Sequence, residues 1–135
     1  MQPIEYQIVA GAPRATAEDA LRLFAALAPI FEQHGFMLAL YGSTVRQQRA
    51  GADVDMLAVP GRITSLHEAQ LCISRLCCTM GFTQRGEPYA GLMGTYAVIL
   101  QEGSTGKILD IQFREVAPPA WQHFHGTVAR ATKEQ

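Results

Sequence analysis

Long apolar runs are missing from this chain of 135 residues, and their absence excludes a membrane-spanning helix, which needs about 20 consecutive apolar residues. The N-terminal segment lacks a basic start followed by a long apolar stretch, so it does not resemble a secretory signal.

Charge is also scarce, since charged residues make up 17% of the chain, against about 25% in an average soluble protein. The 11 basic residues are balanced by 12 acidic ones. We therefore do not expect a broad basic face for non-specific nucleic-acid binding.

Cysteine is scarce as well, and the three cysteines lie close together. Because their number is odd and all three fall within one predicted helix, we do not expect a disulfide framework, and a reducing cytoplasmic location fits better. A zinc site would need paired cysteine or histidine ligands at short loop spacing, whereas the four histidines are scattered along the chain. We therefore interpret Cys72, Cys77 and Cys78 as small, buried apolar thiols.

Apolar residues, by contrast, are abundant and make up 48% of the chain. That content is too high for intrinsic disorder and is enough to build a core. The length corresponds to one domain, at about 100–200 residues per domain. We predict a single domain over residues 1–135, with its characteristic motifs within residues 36–114 and a C-terminal tail over residues 115–135.

The first predicted helix covers residues 16–34, where apolar residues recur at helical spacing. Thr16 and Asp19 form a capping arrangement at its start, and Gly35 stops it. Pro29 inside the pattern predicts a kink or a division of the helix. Its apolar stripe consists of Leu21, Phe24, Ala28 and Phe31.

The second predicted helix covers residues 65–80. Ser65 and Glu68 form a capping box at its start, and Gly81 ends it. Both helices are expected to pack on the same side of a sheet. The apolar stripe of the second helix consists of Leu66, Ala69, Ile73, Leu76 and Met80.

Four strands are predicted from apolar runs bounded by glycine and proline. The first of them is a continuous apolar run, which is typical of a buried strand. A hairpin connects the last two strands, a short helix follows the first, and the glycine-rich residues 81–94 hold a further short strand and a loop. The order of elements predicts an α/β or α+β fold with a mixed sheet. The predicted ranges are 36–41, 54–59, 95–100 and 108–113 for the strands, 102–106 for the hairpin connection and 44–50 for the short helix.

The positions of the four aspartates are the most informative feature of the sequence. Asp19 is explained by the first turn of a helix, where negative charge suits the helix dipole. Asp53, Asp55 and Asp110 instead lie at or inside predicted strands, which disfavour aspartate, and a buried carboxylate is costly unless something positive compensates it. Alternation along a strand puts Asp53 and Asp55 on one face, with Val54 and Met56 on the other. In the same way Asp110 shares a face with Ile108 and Gln112, while Leu109, Ile111 and Phe113 point to the core.

An isolated Asp-x-Asp pair has an ordinary explanation: Asp53 caps a loop and Asp55 lies on a solvated strand face. The third carboxylate, Asp110, favours a different hypothesis. Three carboxylates at one sheet edge would repel one another unless divalent cations lay among them, and oxygen-only ligands suit Mg²⁺.

Gly42 and Ser43 end the first predicted strand directly before the short predicted helix. Such a turn offers exposed backbone N–H groups and a positive helix end to phosphate. Ser43 would add a hydroxyl donor. Arg46, and to a lesser extent Arg49, are candidates for phosphate contact, although a surface helix also carries arginines without any such role.

This ordered set of residues resembles the nucleotidyltransferase superfamily with the DNA polymerase β-type catalytic fold. The family pattern is an apolar strand ending in Gly-Gly or Gly-Ser, a short gap, Asp-x-Asp or Asp-x-Glu in a second strand, and a third carboxylate in a later strand. In this chain it reads LALYGSTVRQQRAGADVDMLAV and KILDIQF. The Gly-Ser form is similar to the minimal and antibiotic-modifying nucleotidyltransferases. The Val45-Arg46 pair and residues 94–115 are also similar to the head domains of tRNA nucleotidyltransferases and bacterial poly(A) polymerases.

The resemblance implies an enzyme that moves a nucleoside monophosphate from an NTP to an acceptor hydroxyl and releases pyrophosphate. It implies that Asp53 and Asp55 hold Mg²⁺ or Mn²⁺ against the triphosphate, while Asp110 completes a second metal site and helps to deprotonate the acceptor. Gly42, Ser43 and Arg46 would bind the nucleotide. The acceptor would be a small molecule, a protein or an RNA end.

A second hypothesis is a non-catalytic nucleotide- or partner-binding module of a two-protein system that keeps the fold. The three carboxylates favour the enzyme, whereas the lack of room for an acceptor domain favours the module, or an enzyme completed by homodimerisation. His123 and His125 in the tail have two interpretations, an acceptor-site base or metal ligand, and a surface tail anchored by Trp121 and Phe124. We expect the surface tail.

Overall fold

The computed structural model describes residues 11–41, 53–91 and 95–116. Within these ranges the chain forms two helices and six strands, in an α+β arrangement that confirms the predicted fold class. In chain order the elements are α1 (Ala17–Gln33), β1 (Phe36–Tyr41), β2 (Val54–Pro60), α2 (Leu66–Thr79), β3 (Phe82–Gln84), β4 (Tyr89–Ala90), β5 (Tyr96–Glu102) and β6 (Ile108–Phe113).

All six strands belong to one mixed sheet with the order β1-β2-β6-β5-β3, and β4 also pairs with β5. The pairing of β2 with β6 is parallel, and the other pairings are antiparallel. The predicted hairpin between β5 and β6 is confirmed, since Glu102 N–H donates to the Lys107 carbonyl over 2.9 Å and Gly106 N–H donates to the Glu102 carbonyl over 2.7 Å. β6 therefore lies in the middle of the sheet, between β2 and β5.

The core lies between one face of the sheet and the two helices, as predicted. Phe113 at the end of β6 is fully buried and contacts three other rings, with centroid distances of 5.8 Å to Phe31, 5.0 Å to Phe36 and 5.9 Å to Tyr96. These rings come from α1, β1 and β5, so one side chain joins three elements of the fold.

The start of α1 is the predicted capping arrangement in full. Thr16 accepts from the Asp19 backbone N–H, and the Asp19 carboxylate accepts from the Thr16 backbone N–H over 2.8 Å. The predicted division of the helix at Pro29 is wrong, because α1 runs through it. A proline removes one backbone hydrogen bond, and the buried side chains of Leu27 and Phe31 on either side hold the helix against the sheet.

The predicted apolar stripe of α1 is wrong at Leu21, which is 62% exposed. Phe31 is buried as expected, and Phe24 and Ala28 pack at the edge of the core. The first three residues of the predicted stripe each lie one position after a residue of the buried face. Over so short a run, a repeat of 3.6 residues per turn fits either set of positions. The buried face consists of Ala20, Leu23, Leu27 and Phe31.

The start of α2 differs in one respect from the predicted capping box. The Ser65 hydroxyl accepts from the Glu68 backbone N–H over 3.2 Å, as expected. The Glu68 carboxylate, however, lies 3.0 Å from His34 Nδ1 at the end of α1, so it links the two helices.

The interpretation of the cysteines on α2 is correct in part. Cys72 is buried in the core, and all three are free thiols, but Cys78 is exposed. It lies outside the face of α2 that meets the sheet, which consists of Ala69, Cys72, Ile73 and Leu76.

The prediction that the first strand is buried is also wrong for one of its faces. Phe36 and Leu38 are buried, whereas Met37 between them is 62% exposed. Within the described residues β1 pairs only with β2 and lies at the edge of the sheet. Neither of the two described helices has the length and apolar character needed to cross a membrane.

Candidate metal centre

Three aspartates meet on the face of the sheet opposite the helices. Asp55 on β2 and Asp110 on β6 are direct partners in the parallel pairing of these strands. Asp53 lies directly before β2, and its carboxylate belongs to the same group. One carboxylate oxygen from each of the three residues lies within 4.8 Å of the other two, so strands distant in sequence bring the predicted carboxylates together.

Strand alternation explains why these side chains point away from the core. On β2, Val54 and Met56 lie in the buried cluster beneath the helices. On β6, Leu109 and Ile111 lie in the same cluster, as predicted, and Asp110 between them faces the other side. Each aspartate is thus held in place by apolar neighbours that anchor its strand.

Burial and mutual repulsion define the electrostatics of this site. Asp110 is only 7% exposed. Loss of solvation, followed by the negative charges of Asp53 and Asp110, raises the pKa of Asp55 to about 8. Tyr41, the partner of Asp55 on β1, has its pKa raised for the same reasons, first by burial and then by the three carboxylates. The site therefore disfavours additional negative charge and favours a cation.

The residues of the site fit a hard divalent cation. All three candidate ligands are carboxylates, the ligand type suited to Mg²⁺ and Mn²⁺. Neighbouring ligand oxygens around Mg²⁺ are roughly 3 Å apart, given Mg–O distances of about 2.1 Å. The candidate ligand oxygens lie within 4.8 Å of one another, and any pair further apart than this spacing would have to move closer to hold such an ion on neighbouring positions.

Tyr89 on β4 belongs to the site, although no pattern in the sequence indicated it. Its hydroxyl donates to the Asp110 carboxylate, at 2.7 Å from Oδ1 and 2.6 Å from Oδ2. β4 is only two residues long and is followed by Gly91, so it carries too little alternation to assign a face. The one available signal was an aromatic residue with a hydroxyl inside a glycine-rich segment.

A second polar contact lies beside the first on the same face of β6. The Thr95 hydroxyl donates to Gln112 Oε1 over 2.8 Å. Gly91 N–H donates to the Thr95 carbonyl over 2.9 Å, and a Cβ on Gly91 would lie 2.5 Å from Gln112 Oε1. Glycine is therefore required for residues 89–91 to pack this closely on β6.

Several predicted functional residues lie outside the described ranges, and their roles stay predictions. They comprise the phosphate-binding candidates Gly42, Ser43, Arg46 and Arg49, the short helix over residues 44–50, and the tail residues Trp121, His123, Phe124 and His125.

Comparisons with known proteins give no family for this chain. No protein-family model matches it, and no curated protein matches it.

Proposed function

We propose that this protein is a metal-dependent nucleotidyltransferase, which moves a nucleoside monophosphate from an NTP to an acceptor hydroxyl and releases pyrophosphate. The observation that carries the proposal is the convergence of Asp53, Asp55 and Asp110 within 4.8 Å, on β6 and at the start of its neighbour β2. Nothing in the packing of the sheet requires three carboxylates there, and burial, followed by the charges of Asp53 and Asp110, raises the pKa of Asp55.

In this proposal Asp53 and Asp55 hold Mg²⁺ or Mn²⁺ together with the triphosphate. They are the more accessible pair, since both are partly exposed. When bound, a divalent cation offsets the charge of the phosphates and polarises the reacting oxygens. A cation held by the two aspartates would position the triphosphate, so that most of the work of the protein is positioning.

Asp110 is assigned to the acceptor side of the reaction. Its carboxylate takes the proton of the acceptor hydroxyl, and the acceptor oxygen forms a bond to the α-phosphorus. The bond from the α-phosphorus to the bridging oxygen then breaks, and pyrophosphate leaves with that electron pair. The motif also assigns the triphosphate to the backbone at Gly42 and to the side chains of Ser43 and Arg46.

A second candidate function is a non-catalytic nucleotide- or partner-binding module. The burial of Asp110 favours it, because this carboxylate is 7% exposed and is covered by the Tyr89 hydroxyl. An acceptor would have to reach a group that is largely covered. A homodimer or a partner protein would then supply what the site lacks.

A reducing cytoplasmic location is part of the proposal. The odd number of cysteines and their position on one helix support it, because such a set does not suit a disulfide framework.

The deciding experiment measures binding and transfer separately. Calorimetry with each NTP and Mn²⁺ tests binding, and incubation with each labelled NTP, Mg²⁺ and a lysate of the source cell tests transfer. Asp53→Asn should abolish both, whereas Glu32→Gln, which neutralises an exposed carboxylate on α1, should change neither. Metal-dependent NTP binding without any labelled product would favour the binding module, and no binding at millimolar ligand would overturn both functions.

A further inference from the structure

The contact between Tyr89 and Asp110 has an unusual geometry. The hydroxyl oxygen lies at nearly equal distances from the two carboxylate oxygens, 2.7 Å and 2.6 Å. It therefore lies close to the bisector of the carboxylate, which is also where a cation bound by both oxygens of one carboxylate would lie. With Tyr89 in that position, Asp110 can offer a cation one oxygen, but not both.

This restriction separates two classes of divalent cation. Mg²⁺ keeps a strict octahedral shell at about 2.0–2.1 Å, whereas Ca²⁺ takes about six to eight oxygens at longer distances and commonly binds both oxygens of a carboxylate. A carboxylate limited to one oxygen suits the first class. A hydrogen-bonded partner behind a ligand also fixes its orientation, and removal of such a partner typically weakens metal binding about 10–100-fold.

We propose that Tyr89 is a positioning residue that sets the cation preference of this site, by holding Asp110 for coordination through one oxygen. The inference rests on the proposed metal-dependent function, because it concerns the same carboxylates. Tyr89 makes the site selective for Mg²⁺ and Mn²⁺ over Ca²⁺.

The residues around Tyr89 hold its hydroxyl in this position. Tyr89 pairs with Ala97 in the β4–β5 pairing, and Ala90 pairs with Tyr96. Beyond them, Gly91 packs against Gln112 with no space for a side chain. The backbone of residues 89–91 is thus fixed against β5 and β6, and the hydroxyl has little freedom to leave Asp110.

The test is a comparison of Mn²⁺ and Ca²⁺ affinities in Tyr89→Phe and the parent. Free Mn²⁺ is counted by electron paramagnetic resonance, and Ca²⁺ is measured by its competition with Mn²⁺. Tyr89→Phe should weaken Mn²⁺ binding about 10–100-fold, and it should weaken Ca²⁺ binding much less, so that the preference for Mn²⁺ falls at least about tenfold. Thr95→Val removes the neighbouring hydroxyl bond without touching a carboxylate, and it should leave the preference unchanged.

A double-mutant cycle shows whether the effect passes through Asp110. In an Asp110→Asn background, Tyr89→Phe should cause no further loss of Mn²⁺ affinity, because the two residues act as one unit. Additive losses would overturn the proposal, as would an equal weakening of both cations. If the parent binds Mn²⁺ and Tyr89→Phe binds both cations like the parent, the role of Tyr89 fails while the metal site stands. If the parent binds no Mn²⁺, the proposed function fails as well.

Discussion

Asp55 and Asp110 lie directly opposite each other in the parallel pairing of β2 with β6. Parallel neighbours point their side chains to the same side of a sheet, about 4.8 Å apart from strand to strand. The two carboxylates therefore cannot avoid each other by a change of rotamer alone. A cation that enters the site is attracted by both carboxylates. Four consequences of this arrangement and of the fold around it can be measured.

Asp110→Asn should separate nucleotide binding from transfer. The substitution keeps the shape of the side chain and removes one charge, while Asp53 and Asp55 remain to hold the cation and the triphosphate. NTP affinity should change only a few-fold, whereas the transfer rate should fall by orders of magnitude, each tenfold loss corresponding to about 1.4 kcal/mol of barrier. Calorimetry and single-turnover transfer assays measure the two quantities.

The melting temperature of Asp110→Asn, recorded in EDTA, is the control for folding. Since one of three repelling charges is gone, it should equal or exceed that of the parent. Transfer at the rate of the parent would contradict the role assigned to Asp110.

The stability of the metal-free protein should decrease as the pH rises from about 4 to about 8. The pKa of Asp55 is about 8 in the folded protein, against an ordinary value of 3.8. In that interval the folded state keeps a proton that the unfolded state has lost, so each rise in pH favours unfolding. Thermal unfolding in EDTA at a series of pH values measures the effect.

Mn²⁺ should raise the melting temperature most at the alkaline end of that series. There the carboxylates are ionised and the cation relieves their repulsion. In Asp55→Asn the decrease over this interval should largely disappear. A parent whose stability in EDTA does not change across the interval would contradict the electrostatics described for the site.

Phe113→Ala should lower the free energy of unfolding by about 3–5 kcal/mol, the usual cost of removing a buried phenylalanine side chain. Phe113 is fully buried, and it contacts rings from α1, β1 and β5. Denaturant unfolding measures the loss. Met37→Ala is the matched control, since Met37 is largely exposed and its truncation should cost less than about 0.5 kcal/mol.

Thr16→Ala should lower the free energy of unfolding by about 1 kcal/mol, because it removes the side-chain acceptor at the start of α1. Denaturant unfolding measures the loss.

The same cap predicts a loss of stability in acid. Partial burial raises the pKa of Asp19, but hydrogen bonds from Thr16 and Lys107 outweigh it and lower the pKa to about 2. The folded state therefore favours the ionised form, and this contribution is complete above about pH 4 and disappears as the pH falls towards 2.

Asp19→Asn provides the comparison for the acid range. It should be less stable than the parent at neutral pH, and the difference should shrink as the pH falls below about 4. A constant difference across this range would contradict the assignment.

The four longer strands, the cap of α1 and the faces of Asp55 and Asp110 could be predicted from the sequence, because they depend on local alternation and on residues a few positions apart. Leu21 shows where local reasoning fails, since the face of a helix that meets a sheet is decided by the sheet. The parallel register of β2 with β6, which brings Asp55 beside Asp110, depends on long-range pairing. Tyr89 could not be assigned for the same reason, because its partner lies on β6 and its own strand has two residues.

The parallel neighbours β2 and β6 are separated along the chain by α2, β3, β4 and β5. During synthesis the N-terminal parts of a chain emerge first, so β2 is present long before β6. Pairings between distant segments also close late, because the entropy of the intervening chain opposes them. The three carboxylates therefore form one site only when β6 inserts between β2 and β5. A cation that binds there stabilises the folded protein and does not stabilise an earlier folding intermediate.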